Sequence, residues 1–208
     1  MKSKERIVSA LPQAANQPVF NERGLLDPNI PPEAEIQSAM QRQPGQSFAG
    51  WLESRVARRS TRNYDWNALK FQADYDPRYR RAQMRYVGTG GTGVAADGNT
   101  VPASHFTFST MVIPAGHIGP SHIHYDVEEV FFVMRGAMKV ICEKDGERWE
   151  TVVGERDLIS VPPGVYREEH NIGDEDALMC VMLGSPKPIT PVYPPDSPLA
   201  KLKRELNR

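Results

Sequence analysis

Between Val101 and residue 185 the chain is a series of short, apolar, strand-like runs. Turn residues separate these runs, and Asp145-Gly146 is the strongest hairpin signal in the chain. The runs are His105–Ile113, Glu129–Met134, Met138–Glu143, Trp149–Val153, Leu158–Val161 and Leu178–Leu183. Many short antiparallel strands at this spacing are typical of a barrel or a sandwich. The expected fold class is therefore all-β, with a small antiparallel β-barrel over residues 101–185.

The segment before the barrel has a different pattern. Residues 1 to about 45 contain six prolines and little periodicity, which is typical of an irregular arm. From Ser47 onward apolar residues recur at helical spacing and predict a short amphipathic helix: Phe48, Trp51, Leu52 and Val56. We therefore expect residues 1–100 to form an arm and a helix that pack on the barrel.

The segment after the barrel, residues 186–208, is expected to be a C-terminal extension that ends in a helix. Ser197 is a suitable N-cap residue, and Pro198 fits the first turn of a helix. One apolar face of the predicted helix is formed by Leu199, Leu202 and Leu206. This helix is expected to pack down on the rest of the chain.

Charge and composition indicate the kind of partner. The 208 residues include 25 basic and 26 acidic ones, and the net charge of -1 gives no electrostatic reason to expect nucleic acid or an anionic membrane. No apolar run approaches the length of a membrane span, and the stretch Ile7–Leu11 is too short for a signal sequence. Two cysteines, Cys142 and Cys180, are too few for a disulfide framework. We expect a cytoplasmic protein whose partner is a small molecule.

A glycine-rich stretch, Gly88–Gly93, matches the G-x-G-x-x-G pattern of dinucleotide-binding proteins. That pattern binds a dinucleotide only where it opens a helix, and the residues after Gly93 are poorly suited to begin one. The stretch is therefore predicted to be a flexible loop.

A pair of histidines carries the strongest chemical signal. His122 and His124 are two residues apart, so in a strand their imidazoles point to the same face. A carboxylate from the next strand would complete a set of three ligands. Imidazole and carboxylate together suit Fe(II), Mn(II), Ni(II) or Zn(II), and two histidines with one carboxylate are the ligands of non-heme Fe(II) oxygenases.

The residues around this pair resemble the first motif of the cupin superfamily. That motif reads Gly, five residues, His-x-His, three or four residues, Glu, six residues, Gly. Its fixed positions correspond to Gly116, His122, His124, Glu129 and Gly136. The resemblance implies a jelly-roll barrel, and it makes Glu129 the third metal ligand, with Fe(II) as the favoured metal.

A second cupin motif, which normally supplies a third histidine ligand, matches only in part. Pro162, Gly164 and Asn171 fall in place, whereas Arg156 replaces a glycine and Arg167 replaces the histidine. A guanidinium is always protonated and cannot ligate a metal. Three arrangements stay open: a site of two histidines and one glutamate, which we favour, a site completed by His170 through a one-residue bulge, or no metal site.

Other residues of the second motif have candidate roles around the expected site. Arg167 would either bind an anionic group of the substrate or pair with Glu169 on the same strand face. Tyr166 is the second candidate catalytic residue, expected at the barrel mouth. Strand alternation places His170 on the face opposite Arg167, where it would be exposed to solvent rather than a ligand.

These features suggest an enzyme, although the fold alone names no reaction. We expect a metal-dependent, dioxygenase-like enzyme that acts on a small anionic molecule, an organic acid or a phenolic. Two alternatives stay open: a non-enzymatic cupin that binds or senses a metabolite, and a metal-dependent isomerase or decarboxylase. By resemblance to other cupins, the chain is expected to form a homodimer.

Overall fold

The computed structural model describes residues 38–94 and 96–206. The predicted irregular arm, residues 1 to 45, lies mostly outside the described residues. The chain divides into two units, Met1–Gln46 and Ser47–Arg208. Every strand and helix named below belongs to the second unit.

The described part contains nine strands, each four to seven residues long. The strands are β1 (Ala82–Val87), β2 (Thr107–Ile113), β3 (Ile118–Ile123), β4 (Glu129–Arg135), β5 (Met138–Lys144), β6 (Glu147–Val153), β7 (Leu158–Val161), β8 (Tyr166–Asn171) and β9 (Ala177–Leu183). The helices are α1 (Phe48–Glu53), α2 (Lys70–Tyr75) and α3 (Pro198–Leu206), and two short 3-10 helices span Arg59–Thr61 and Pro77–Tyr79.

The strands form two antiparallel sheets. One sheet has the order β1-β2-β9-β4-β7, and the other has the order β3-β8-β5-β6. Apart from β1-β2 and β5-β6, the neighbours in each sheet are not consecutive in the sequence, as in a jelly roll. The predicted all-β fold class is confirmed. The core between the sheets is apolar, and its fully buried side chains include Ile113, Val133 and Met138.

Strand β8 shows how period-two alternation sorts polar residues between the inside and the outside. Arg167, Glu169 and Asn171 are buried, whereas the residues between them are only partly buried. Three consecutive inward positions of β8 are therefore polar or charged. They need polar partners inside the protein, because a buried polar group without a hydrogen bond is costly.

The helices agree with their sequence signals, with one difference. Ser47 caps α1, since its side chain accepts a hydrogen bond from the Gly50 amide, but no residue of α1 is buried. Ser197 caps α3 in the same way through the Ala200 amide, and Leu199 is buried. The predicted C-terminal helix is therefore confirmed, whereas the apolar stripe of α1 does not enter the core.

No helix in the described ranges combines the length and the apolar character needed to cross a bilayer. The glycine-rich stretch follows β1 as a loop, with positive φ angles of 62°, 71° and 81° at Gly88, Gly90 and Gly93. It opens no helix, so the structure agrees with the rejection of a dinucleotide-binding turn.

Candidate metal centre

Three side chains converge at one end of the two sheets. His122 lies on β3, His124 follows the last residue of that strand, and Glu129 is the first residue of β4. All three are buried, and one potential ligand atom from each lies within 4.8 Å of the others. We call these residues the triad.

The distances in the triad suit a metal ion. His122 Nε2 lies 3.3 Å and His124 Nε2 3.7 Å from Glu129 Oε2. Two ligand atoms that are each about 2.1 Å from one ion lie about 3.0 to 3.4 Å apart, so both distances to Glu129 are close to those of a coordination sphere. The donor set of two imidazoles and one carboxylate fits Fe(II), Mn(II), Ni(II) or Zn(II).

The ring of His122 is oriented by the backbone. Its Nδ1 lies 2.9 Å from the Pro120 carbonyl oxygen, which can only accept, so Nδ1 carries the proton and donates. In the neutral ring this leaves the lone pair on Nε2, the atom that faces Glu129. Such a backbone bond to the second ring nitrogen is the usual way in which proteins orient a metal-binding histidine.

The pKa values of the triad reflect burial and mutual contact. Burial alone would raise the pKa of Glu129, but the bond to His122 and the charges of His124 and Arg167 outweigh it and lower that pKa. Burial would lower the pKa of His122, yet the bond to Glu129 raises it above 6.5. For His124, burial prevails and the pKa is lowered. Glu129 is therefore ionised and His124 neutral at neutral pH, as metal ligands need to be.

Arg167 stands opposite His122 in the pairing of β3 with β8. Its side chain is 0% exposed, its Nε lies 3.6 Å from Glu129 Oε2, and its Nη2 donates to the carbonyl oxygens of Val161 and Pro162. The positive charge of the guanidinium therefore stabilises the ionised form of the Glu129 carboxylate. Its ion pair is with Glu129 and not with Glu169, the partner that strand alternation suggested.

The other two predicted site residues lie apart from the triad. His170 contacts the carboxylate of Glu168 on the outward face of β8, as the alternation of that strand predicted. Tyr166 lies on the same outward face, where burial and the neighbouring Tyr125 raise the pKa of its hydroxyl group. Neither residue belongs to the cavity that the triad faces.

That cavity has a volume of about 50 Å³, which suits a small ligand. Besides the triad, its wall contains apolar residues of β2, β4 and β9 and a set of polar residues: Gln72, Arg81, Gln83, Thr107, Ser109 and Glu169. Of these, the sequence singled out only Glu169, as a partner of Arg167 on the inward face of β8. For Arg81, no local signal exists.

The glycine-rich loop covers one side of the cavity through Gly90, Gly91 and Thr92. A Cβ atom at Gly91 would lie 3.1 Å from Cε1 of His124, which is tighter than most real contacts. Glycine at this position therefore allows the loop backbone to approach the triad closely.

Comparisons with known proteins agree with this architecture. Residues 109–183 match the family model described as Cupin domain. An oxalate oxidase structure has a TM-score of 0.50 at 18% identity, over 94% of this chain and 86% of that one. Peruvianin-I, a cysteine peptidase from Thevetia peruviana latex, has a TM-score of 0.51 at 14% identity, over 71% and 80% of the two chains.

A recombinant oxalate oxidase in complex with glycolate has a TM-score of 0.44 at 21% identity, over 62% of this chain. The chain spans 66% of that enzyme's length, slightly less than two thirds. No curated protein matches the sequence. At these identities the likeness concerns the fold alone.

Proposed function

Because residues 109–183 match the Cupin domain family model, we propose that the triad binds a divalent metal ion and that the protein is a metal-dependent enzyme. The observation that carries the proposal is the convergence of three buried ligand atoms within 4.8 Å at the wall of a small cavity. A buried carboxylate beside two imidazoles is costly unless it is paired, and a metal ion satisfies all three groups together.

We further propose a dioxygenase-like reaction on a small organic acid or a phenolic. A bound Fe(II) would supply oxygen activation, since three protein ligands leave positions open for other groups. The chain itself would hold Glu129 ionised through Arg167, orient His122 through the Pro120 carbonyl, and exclude bulk water with the glycine-rich loop. Arg81 at the cavity wall and a metal ion at the triad would favour an anionic ligand.

A non-enzymatic cupin that binds a metabolite is the second candidate. It is favoured by Arg167, which stands where other cupins have a third histidine. Ligand-induced thermal stabilisation that persists in EDTA would support this reading, because a ligand that binds only the folded state raises its stability without needing the metal. An isomerase or a decarboxylase would use the same triad and differ in consuming no oxygen.

The test is the metal content of anaerobically purified protein, measured by elemental mass spectrometry. We expect close to one equivalent of iron, manganese, nickel or zinc in the wild type, and almost none in a His122→Ala, His124→Ala double variant. The matched control is His170→Ala, which removes a histidine of the outward face and should leave the metal bound. Oxygen uptake with small aromatic and keto acids then separates a dioxygenase from the other reactions.

Wild-type protein without metal, or metal that persists in the double variant, would overturn the proposal. Loss of metal in His170→Ala would instead show that His170 completes the site, as the bulged arrangement requires. These outcomes rank the three arrangements that the sequence left open.

Metal binding should release a proton near pH 6.5. The pKa of the His122 ring is raised above its ordinary value of 6.5, so more than half of these rings are protonated at pH 6.5. A metal ion that binds there has to displace the proton. Apparent metal affinity should therefore weaken about tenfold per pH unit below the His122 pKa and level off above it. Calorimetric titrations with Zn(II) in two buffers of different ionisation enthalpy measure the protons released, and a value near zero at pH 6.5 would contradict the assignment.

A further inference from the structure

Two buried charged residues line the cavity without belonging to the triad. Arg81 is 4% exposed and Glu169 is 2% exposed. The Nη1 and Nη2 groups of Arg81 donate to the Ile118 carbonyl and to Gln72 Oε1, at 3.1 and 3.0 Å. Its Nε has no hydrogen-bond partner in the described chain, and neither has Oε2 of Glu169. Each of these two residues thus holds one buried polar atom without a partner, a donor on Arg81 and an acceptor on Glu169.

The chain makes specific room for the Glu169 carboxyl group. Gly119 on β3 pairs with Glu169 on β8, and a Cβ atom at Gly119 would lie 1.8 Å from Glu169 Oε1. The carboxyl group therefore occupies the space that any other residue at position 119 would fill with its side chain. This close fit indicates a built position for the carboxyl group and not a chance burial.

Arg81 and Glu169 also influence each other. Burial raises the pKa of Glu169, and the charge of Arg81 is the largest effect that opposes this rise. Among the described residues the two groups form no direct ion pair, although both belong to the same wall. Leaving a buried donor and a buried acceptor unpaired costs free energy, so a ligand group that pairs with both would be held strongly.

We propose that Arg81 and Glu169 form a hydroxyl-recognition subsite, so that the ligand of the cavity is a small hydroxylated organic acid or phenol. An Nε–H group can only donate and a carboxylate oxygen can only accept, whereas a hydroxyl does both. A protonated Glu169 would still bond to a hydroxyl oxygen. This inference rests on the proposed function, because the anionic group of the ligand is assigned to the triad and its metal.

A water molecule has the same donor and acceptor capacity as a ligand hydroxyl. The test therefore has to distinguish bound water from a bound hydroxylated ligand. Lactate and propionate have the same carboxylate and carbon chain and differ in one hydroxyl. Their affinities for Mn(II)-loaded wild-type protein are measured by calorimetric titration, and metal content is determined on the same preparation. We expect lactate to bind about 10- to 100-fold more tightly, the effect of a hydrogen bond to charged groups.

Two matched variants locate the effect. Glu169→Leu should reduce the preference for lactate to about twofold or less, because the acceptor is gone. Glu168→Leu, which changes the neighbouring glutamate on the outward face of β8, should retain the full preference. Thermal melts establish that both variants fold, and the wild-type comparison of the two acids needs no variant.

Equal affinities in metal-loaded wild type, or no measurable binding of either acid, would overturn the subsite and leave the proposed metal centre intact. Equal affinities would mean that water satisfies both groups. Protein that takes up no Mn(II) would overturn the proposed function, and the subsite inference with it. A preference for lactate that survives in Glu169→Leu would place the hydroxyl elsewhere in the cavity and also overturn the assignment.

Discussion

Replacing Arg167 by methionine will lower the free energy of unfolding by about 3 to 5 kcal/mol, the cost of breaking a buried charge pair. The side chain is 0% exposed, and its Nε is 3.6 Å from the Glu129 carboxylate. Methionine can fill much of the volume, but it leaves the buried carboxylate without its cation and the carbonyl groups of Val161 and Pro162 without their donor. Urea unfolding of metal-free protein, followed by circular dichroism, measures the loss.

The matched control is Arg148→Met, since Arg148 is half exposed and pairs with Glu143 and Glu150 on the surface. Its loss should cost less than about 1 kcal/mol. In a Glu129→Leu background the cost of Arg167→Met should shrink, because no buried charge is then left unpaired. Equal costs in both backgrounds would contradict a functional pair between Arg167 and Glu129.

Arg167 also illustrates how far sequence reasoning reached. Its departure from the cupin pattern was visible, and period-two alternation correctly placed it inward with Glu169 and opposite to His170. Its partner was not predictable, because Glu129 lies on β4, in the other sheet. Only the packing of the two sheets brings this carboxylate to 3.6 Å from the guanidinium.

Part of the triad was predictable on physical grounds, since the period of a strand puts His122 and His124 on one face and a carboxylate was expected from the next strand. The cupin resemblance identified that carboxylate as Glu129, which is the first residue of β4. Strands β2, β4 to β7 and β9 were predicted within a few residues, since their apolar runs are bounded by turn signals. Strand β1 was missed, although the polar Gln83 and Arg85 alternate with apolar residues as in a half-buried strand.

The residues of the hydroxyl-recognition subsite could not be found as a group from the sequence. Arg81 and Glu169 are separated by most of the barrel, and only the closure of the two sheets brings them to one cavity wall. Gly119 lies inside the first cupin motif but at none of its fixed positions. Its role becomes visible only when the position of the Glu169 carboxyl group is known.

Replacing Gly119 by alanine will lower the free energy of unfolding by about 3 kcal/mol, at the upper end of what overpacking usually costs. The new Cβ would lie 1.8 Å from Glu169 Oε1 and 2.1 Å from the carboxyl carbon, so the buried carboxyl group has to leave its position. Gly119 does not have a positive φ angle, so alanine causes no backbone strain there. The loss therefore measures the steric overlap between the new Cβ and the carboxyl group. Urea unfolding measures the change.

The control is Gly98→Ala, because nothing lies within 4 Å of a Cβ atom at that glycine. Its effect should stay within about 0.5 kcal/mol. In a Glu169→Ala background, Gly119→Ala should cost much less than in the wild type, since the two side chains no longer compete for one space. The same loss in both backgrounds would mean that the glycine serves another purpose. A smaller loss in the Glu169→Ala background would establish that the absence of a side chain at position 119 makes room for the Glu169 carboxyl group.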